Sequence, residues 1–203
     1  MTLTALRHSL PHSLRPYLLP LALALCVTLV ALGGSVASDL LRYDRAALMQ
    51  GQWWRLLSGH LVHLGWSHLA LNLAGLALVW ALVGDRLSTL RWLVVITASA
   101  LGISVGLLAF HPELAWYVGL SGILHALLVA GSLAALRSGD GRAALLLILV
   151  WAKLIWEQLA GPLPGSVASA GGAVIVDAHF YGGLVGTLCG GLLRPQPTQS
   201  SND

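Results

Sequence analysis

Apolar positions in this chain fall into six long runs separated by short polar connections. The runs extend from Tyr17 to Ala37, His60 to Val83, Leu90 to Phe110, Leu120 to Leu136, Ala143 to Ala160 and Val174 to Leu193. Each is long enough to cross, as a helix, a hydrocarbon layer about 30 Å thick. The connections carry helix breakers: Gly84 to Thr89, His111 to Gly119 with Pro112, Arg137 to Arg142, and the Gly/Pro/Ser-rich stretch Gly161 to Gly172. The longest connection, Ser38 to Gly59, holds Trp53, Trp54 and Arg55, residues suited to the headgroup level of a membrane. The pattern predicts an all-α polytopic membrane protein, a six-transmembrane-helix bundle over residues 17–194. A short amino-terminal segment, 1–16, precedes it and a polar tail, 195–203, follows.

Composition agrees with that reading. The 203 residues are 57% hydrophobic and 9% charged, and the mean hydropathy is +0.79, more apolar surface than a soluble domain of this size could cover. The net charge of +3 is dispersed among the connections, which argues against nucleic acid as a partner. Cys26 and Cys189 lie within apolar runs without metal-ligand spacing and read as small buried hydrophobes. With the amino terminus inside, Arg7, Arg15, Arg86, Arg91, Arg137, Arg142 and Arg194 fall on the cytoplasmic side, against Arg42, Arg45 and Arg55 outside. Both termini are then cytoplasmic. The first run also imitates a signal peptide, with Arg15, an apolar stretch and Ser35-Val36-Ala37, but its length favours a retained helix.

A polar side chain at bilayer depth costs a few kcal/mol, so each one requires a partner or a task. The candidates are His63, His68 and Asn72 in the second run, Ser121 and His125 in the fourth, Lys153 and Glu157 in the fifth, and His179 in the sixth. Ser121 lies sixteen residues before Arg137 and His179 fifteen before Arg194. At 1.5 Å per residue these are roughly 24 and 22 Å above the cytoplasmic ends. His68 and Asn72 bracket the same plane. Small residues recur every fourth position at Gly122, Ala126, Ala130 and Ala134 and at Ala178, Gly182, Gly186 and Gly190. Such stripes let two helices approach closely.

That contact would bring a hydroxyl to an imidazole, the minimum for a nucleophilic Ser121 with His179 as general base and acid. His68 and Asn72, one turn apart, would supply donors for a developing oxyanion, together with the Ser121 backbone N–H. Asp177 is two residues from His179 and faces elsewhere, so the expectation is a Ser/His pair without a third, acidic member. His125, one turn from Ser121 on the same run, could meet it as a competing base, but that would leave His179 unexplained, so it is read as a neighbour that packs beside His179 and tunes it. His63 reads as structural, near the outer interface. Lys153 and Glu157 either neutralise each other or line the route by which a substrate helix enters.

These residues bring the chain close to a known family. It resembles the rhomboid intramembrane serine proteases, in which a Trp-Arg pair, an HxxxN second helix, a GxSG motif and an AHxxGxxxG sixth helix follow one another. Here they read Trp54-Arg55, His68 to Asn72, Gly119-Leu120-Ser121-Gly122, and Ala178-His179 through Gly182 to Gly186. The resemblance implies a Ser121/His179 dyad, oxyanion stabilisation by His68 and Asn72, and cleavage of single-pass membrane proteins in the bilayer near the outer leaflet. It implies no metal and no cofactor. Within the family the chain is most similar to the rhombosortases, in compact size and in the string Gly119 to His125. His125 stands where many rhomboids carry a tyrosine. The resemblance to that subgroup implies processing of exported proteins that end in Gly-Gly, an apolar helix and a basic tail, in a bacterial inner membrane with the site open to the periplasm. A lateral gap between the second and fifth helices would admit the substrate, under a loop such as Gly161 to Gly172. A non-catalytic relative that binds and escorts membrane helices is the alternative. A transporter would need inverted repeats that are not seen. The oligomeric state and the fate of the product are left open.

Overall fold

A computed structural model describes residues 16–196. The segment before residue 16, with Arg7 and Arg15, and residues 197–203 of the tail lie outside the described residues. Of these described residues 74% are helical. Its elements are α1 (Leu18–Leu32), α2 (Gly34–Leu41), β1 (Tyr43–Asp44), α3 (Arg45–Met49), α4 (Arg55–Ser58), a 3-10 turn (Gly59–Leu61), α5 (Trp66–Val83), α6 (Thr89–Phe110), β2 (Trp116–Tyr117), α7 (Ser121–Arg137), α8 (Ala143–Ala160), α9 (Ser166–Ala170) and α10 (Val176–Leu192).

By length and apolarity α5, α6 and α8 suffice to cross a membrane, and the bent pair α1 and α2 makes a fourth when counted as one span. Leucines and isoleucines such as Leu21, Leu25, Leu78, Ile148 and Leu188 stay exposed around the bundle, as a lipid-facing surface requires. The protein is a multi-pass membrane protein with an all-α bundle fold.

The structure corrects two boundaries and one burial. The first apolar run does not continue as one helix to Ala37. It breaks at Gly33 and Gly34, where Gly34 adopts φ +59°, and α2 leaves at 112° to α1. The second helix begins at Trp66 rather than His60, because the 3-10 turn and an extended stretch precede it. Neither cysteine is buried as read: Cys26 is exposed on α1 and Cys189 is partly covered. A bundle with lipid around it leaves apolar helix faces uncovered by protein.

α7 is the axis of the bundle. Ala126, Leu127, Val129 and Ala130 are all fully buried, and α5, α6, α8 and α10 pack around it. Its closest neighbour is α10, along the two small-residue stripes. A Cβ on Gly122 would lie 2.7 Å from Ala178 O, one on Gly186 would lie 2.6 Å from Ala126 O, and one on Gly182 would meet Gly122 O. The backbones therefore touch without intervening side chains.

The two ends of the bundle differ. At one end Arg86 pairs with Asp140 at 3.0 Å, and Arg137 Nη1 donates to Gly190 O and Leu193 O. Bonds from Arg142 hold the Asp140 carboxyl below its ordinary value. At the other end a folded loop replaces simple turns. Tyr43 and Tyr117 pair in a two-residue antiparallel ladder. Arg45 Nη2 donates to the carbonyls of Leu107, Leu108 and His111 and so caps α6. Trp54 Nε1 donates to Leu40 O, while the buried Arg55 donates to Arg42 O and Gln52 Oε1. The Trp-Arg pair is thus the clasp of the loop. His60, a buried group that the apolar pattern passed over, sits 3.0 Å from Ala100 O and 3.1 Å from Ser104 Oγ and ties the loop to α6.

Candidate active site

Ser121 is the first residue of α7, so its backbone N–H has no intrahelical partner. The turn before it is fixed by Gly119, at φ +129°, whose carbonyl accepts a 2.9 Å bond from the Tyr117 hydroxyl. A Cβ at Gly119 would lie 3.0 Å from His68 Cε1 and 3.8 Å from Ser121 Oγ. Glycine there serves both the backbone conformation and the space between those two side chains. His179 enters from the first turn of α10, and the glycine seam sets its distance: His179 Nε2 stands 2.8 Å from Ser121 Oγ.

The sixth-helix histidine has more company than the sequence reading gave it. His179 Nδ1 is 2.9 Å from Oε2 of Glu157, a residue of α8 that is 2% exposed. Lys153 Nζ donates to the same oxygen at 2.7 Å. The expectation of an isolated Ser/His pair is therefore corrected: an acidic side chain does meet the histidine, and it comes from α8 rather than from Asp177. Asp177 faces His111, at 3.9 Å. The level of Glu157 along its helix could be counted from sequence, but the rotation of α8 toward α10 could not.

His125 lies under His179 with ring centroids 4.5 Å apart and planes 26° from parallel. Its Nδ1 is 2.7 Å from Ser121 O, and since a carbonyl only accepts, Nδ1 carries the hydrogen. Nε2 is then free to accept from Lys153 Nζ, at 2.8 Å.

The α5 groups stand on the other side of the serine. His68 Nδ1 accepts from Leu64 N–H at 3.3 Å, which leaves the hydrogen on Nε2, the nitrogen nearer Gly119. Asn72 donates one amide hydrogen back to His68 O, at 3.0 Å, so only its second remains for another acceptor. His63 is packed edge-on against His68 at 5.1 Å, and among the described residues neither of its ring nitrogens has a partner.

All of these side chains except His63 share one cavity of about 550 Å³. His68, Asn72, Ser121, His125, Lys153, Glu157 and His179 line it, with Leu71, Gly75, Leu78, Leu124 and Leu128 below and the stretch Leu163 to Ala170 as a roof. The roof falls within the connection that the sequence singled out, where α9 forms against α5. Among the described residues no group of three His, Cys, Asp or Glu side chains could hold a metal ion. A hydroxyl hydrogen-bonded to an imidazole, N–H groups around it and a cavity at hand form an arrangement able to carry out acyl transfer.

No curated protein matches the chain. The Rhomboid domain matches residues 50–196, which takes in the loop clasp, the HxxxN helix, the serine turn and the histidine helix described above. Members of that family are generally intramembrane serine proteases that act on membrane helices within the bilayer. With the domain covering well over half its length, and with a bundle of matching class, the chain belongs to the rhomboid family.

Proposed function

We propose that this protein is a rhomboid-type intramembrane serine endopeptidase in which Ser121 is the nucleophile and His179 the general base. The observation that carries the reading is the 2.8 Å contact between His179 Nε2 and Ser121 Oγ at the edge of a cavity within a membrane bundle. The Ser121 hydroxyl adds to the scissile carbonyl while its proton passes to His179, and the same proton then goes to the leaving amine. His68 Nε2–H, the free Asn72 amide hydrogen and the Ser121 N–H are the donors for the oxyanion.

The substrate is a single-pass membrane protein whose helix enters between α5 and α8. The specific version is rhombosortase-like: removal of a carboxy-terminal Gly-Gly, apolar helix and basic tail from exported proteins. The string Gly119 to His125 favours it, as does the compact bundle. The enzyme then sits in a bacterial inner membrane with both termini cytoplasmic and the site opening to the periplasm. The excess of arginine at the Arg86, Arg137 and Arg142 end supports that orientation.

The test is cleavage of a co-expressed reporter ending in Gly-Gly, an apolar helix and a basic tail, at matched membrane levels of enzyme. The natural protein is expected to release the anchor, and Ser121→Ala and His179→Ala to lose roughly 10³-fold or more in rate. Undiminished cleavage by Ser121→Ala would sink the nucleophile assignment. A natural protein that binds the reporter helix yet never cleaves it would move the reading to a non-catalytic escort.

A further inference from the structure

Glu157 is a carboxylate placed in the mostly apolar helix α8 and almost wholly removed from the surface. Burying an ion pair costs several kcal/mol per ion unless its geometry is well satisfied. Lys153 alone could neutralise it from one turn away on the same helix. Oε2 nevertheless points at a histidine on another helix, and that direction needs an explanation.

The hydrogen-bond chain supplies one. His125 gives its Nδ1 hydrogen to Ser121 O, so its Nε2 must accept from Lys153. Lys153 therefore donates to both His125 and Glu157, and an ammonium offers His179 no acceptor. Lys153 Nζ has a third hydrogen and lies 3.3 Å from His179 Nδ1, but the ionised carboxylate at 2.9 Å can only accept, and a bare Nδ1 would set lone pair against lone pair there. Glu157 Oε2 is the remaining acceptor for the Nδ1 hydrogen of His179. With the hydrogen on Nδ1, Nε2 presents a bare lone pair to the Ser121 hydroxyl.

We propose that Glu157 is the positioning residue of this site, holding His179 in the tautomer that can take the serine proton, while Lys153, braced by His125, fixes the carboxylate in place. The inference rests on the serine-protease reading above. In the acylation step the Ser121 Oγ–H bond breaks, its proton goes to His179 Nε2, and Oγ bonds to the carbonyl carbon, whose π pair moves onto oxygen. The carbon–nitrogen bond then breaks and the Nε2 proton leaves on the amine. Glu157 stays ionised throughout and faces the imidazolium while it exists. Glutamine in its place would keep an oxygen where Oε2 accepts from both Lys153 and Nδ1, whereas methionine would remove that acceptor, release the Nδ1 hydrogen to Nε2 and block the proton acceptor. A structural role, in which Glu157 only neutralises Lys153, would not depend on the tautomer.

The experiment uses the full chain in bicelles and reads two things: kcat and KM for the reporter, and the rate at which a small fluorophosphonate labels the protein. Glu157→Met, which removes the acceptor, is expected to lose roughly 10²- to 10⁴-fold in kcat and in labelling rate with little change in KM. Glu157→Asp, which keeps the acceptor, is expected to recover most of that loss. Glu157→Met can strand a buried lysine and fail to fold, so the paired variant Lys153→Met/Glu157→Met, with both charges removed, carries the test as well and is expected to show the same loss. Natural labelling in either methionine variant would overturn the inference and leave the protease reading standing. Labelling that is absent from the natural protein, or unaltered in Ser121→Ala, would overturn both.

Discussion

Two boundaries of the same cavity are built by opposite rules. Along α7 and α10 the backbones touch, and no side chain intervenes at Gly122, Gly182 or Gly186. Between α5 and α8 contact is at most glancing, and the space is filled by the cavity and roofed by Leu163 to Ala170. The close seam holds the serine and the histidine, each from the first turn of its helix, with nothing flexible between them. The loose side carries His68, Asn72 and Gly75 on one wall and Lys153 and Glu157 on the other. Proton transfer tolerates little misplacement, whereas a membrane segment needs room to arrive. On the proposed reading each demand falls to a different pair of helices.

The comparison can be broken most directly at the seam. Gly182→Val places methyl groups where Gly122 O already sits, and the expected result is loss of the folded bundle, seen as failure to recover monodisperse protein in detergent. A well-folded, active Gly182→Val would mean the seam is not close-packed. Gly122→Ala is milder. Its Cβ would press on Ala178 O from 2.7 Å, shift α10 and stretch the Ser121–His179 contact, so reporter cleavage is expected to fall about 10²-fold while the protein stays folded. On the open side Gly75→Val narrows the cavity floor near Leu124, where a Cβ would already stand 3.0 Å from Cδ1. The expected effect there is a KM rise of about tenfold with kcat little changed. An equal fall in kcat would show that the two walls are not independent.

The smallest effect is expected at the far end of the bundle. Arg142 holds the Asp140 carboxyl below its ordinary value, so the bond stabilises the fold at neutral pH and is lost as pH falls beneath the usual carboxylate range. Asp140→Asn should lower the melting temperature by about 1–2 °C at pH 7 and by nothing at the acid limit, with cleavage unaffected.

What could be read from sequence, and what could not, divides along the same boundary. Helices α6 and α8 begin and end within a residue of their apolar runs, because hydropathy and helix breakers are local. The small stripes of α7 and α10 were visible as a four-residue period, and since both stripes admit only close contact, their meeting followed. The break at Gly33 and Gly34 was not, since paired glycines permit a turn without demanding one. Glu157 stood in the sequence as half of an i, i+4 pair, a sufficient partner for Lys153. That its oxygen also meets His179 depends on how α8 rotates about its axis, which no one-dimensional pattern contains. Asn72 shows the same limit: a side chain near the right depth spends one hydrogen on its own helix.

The shortness of α1 reaches beyond the protein. Fifteen residues rise about 22 Å, well under the roughly 30 Å of an ordinary hydrocarbon layer, and the chain then turns away at 112°. α1 packs on α5, one wall of the open side. A span this short is met by local thinning of the lipid, by snorkelling of its flanks or by association with other helices, each at modest cost. On the protease reading proposed above, thinning would leave a guest helix sized for undisturbed membrane too long for the layer around it. Its end turn would emerge among headgroups and water, where helical hydrogen bonds are readily exchanged and the chain could extend into reach of Ser121. Reporter cleavage in vesicles of graded acyl-chain length reads this mismatch: the rate should rise as the guest helix is made longer than its host layer, and a flat response would dismiss it.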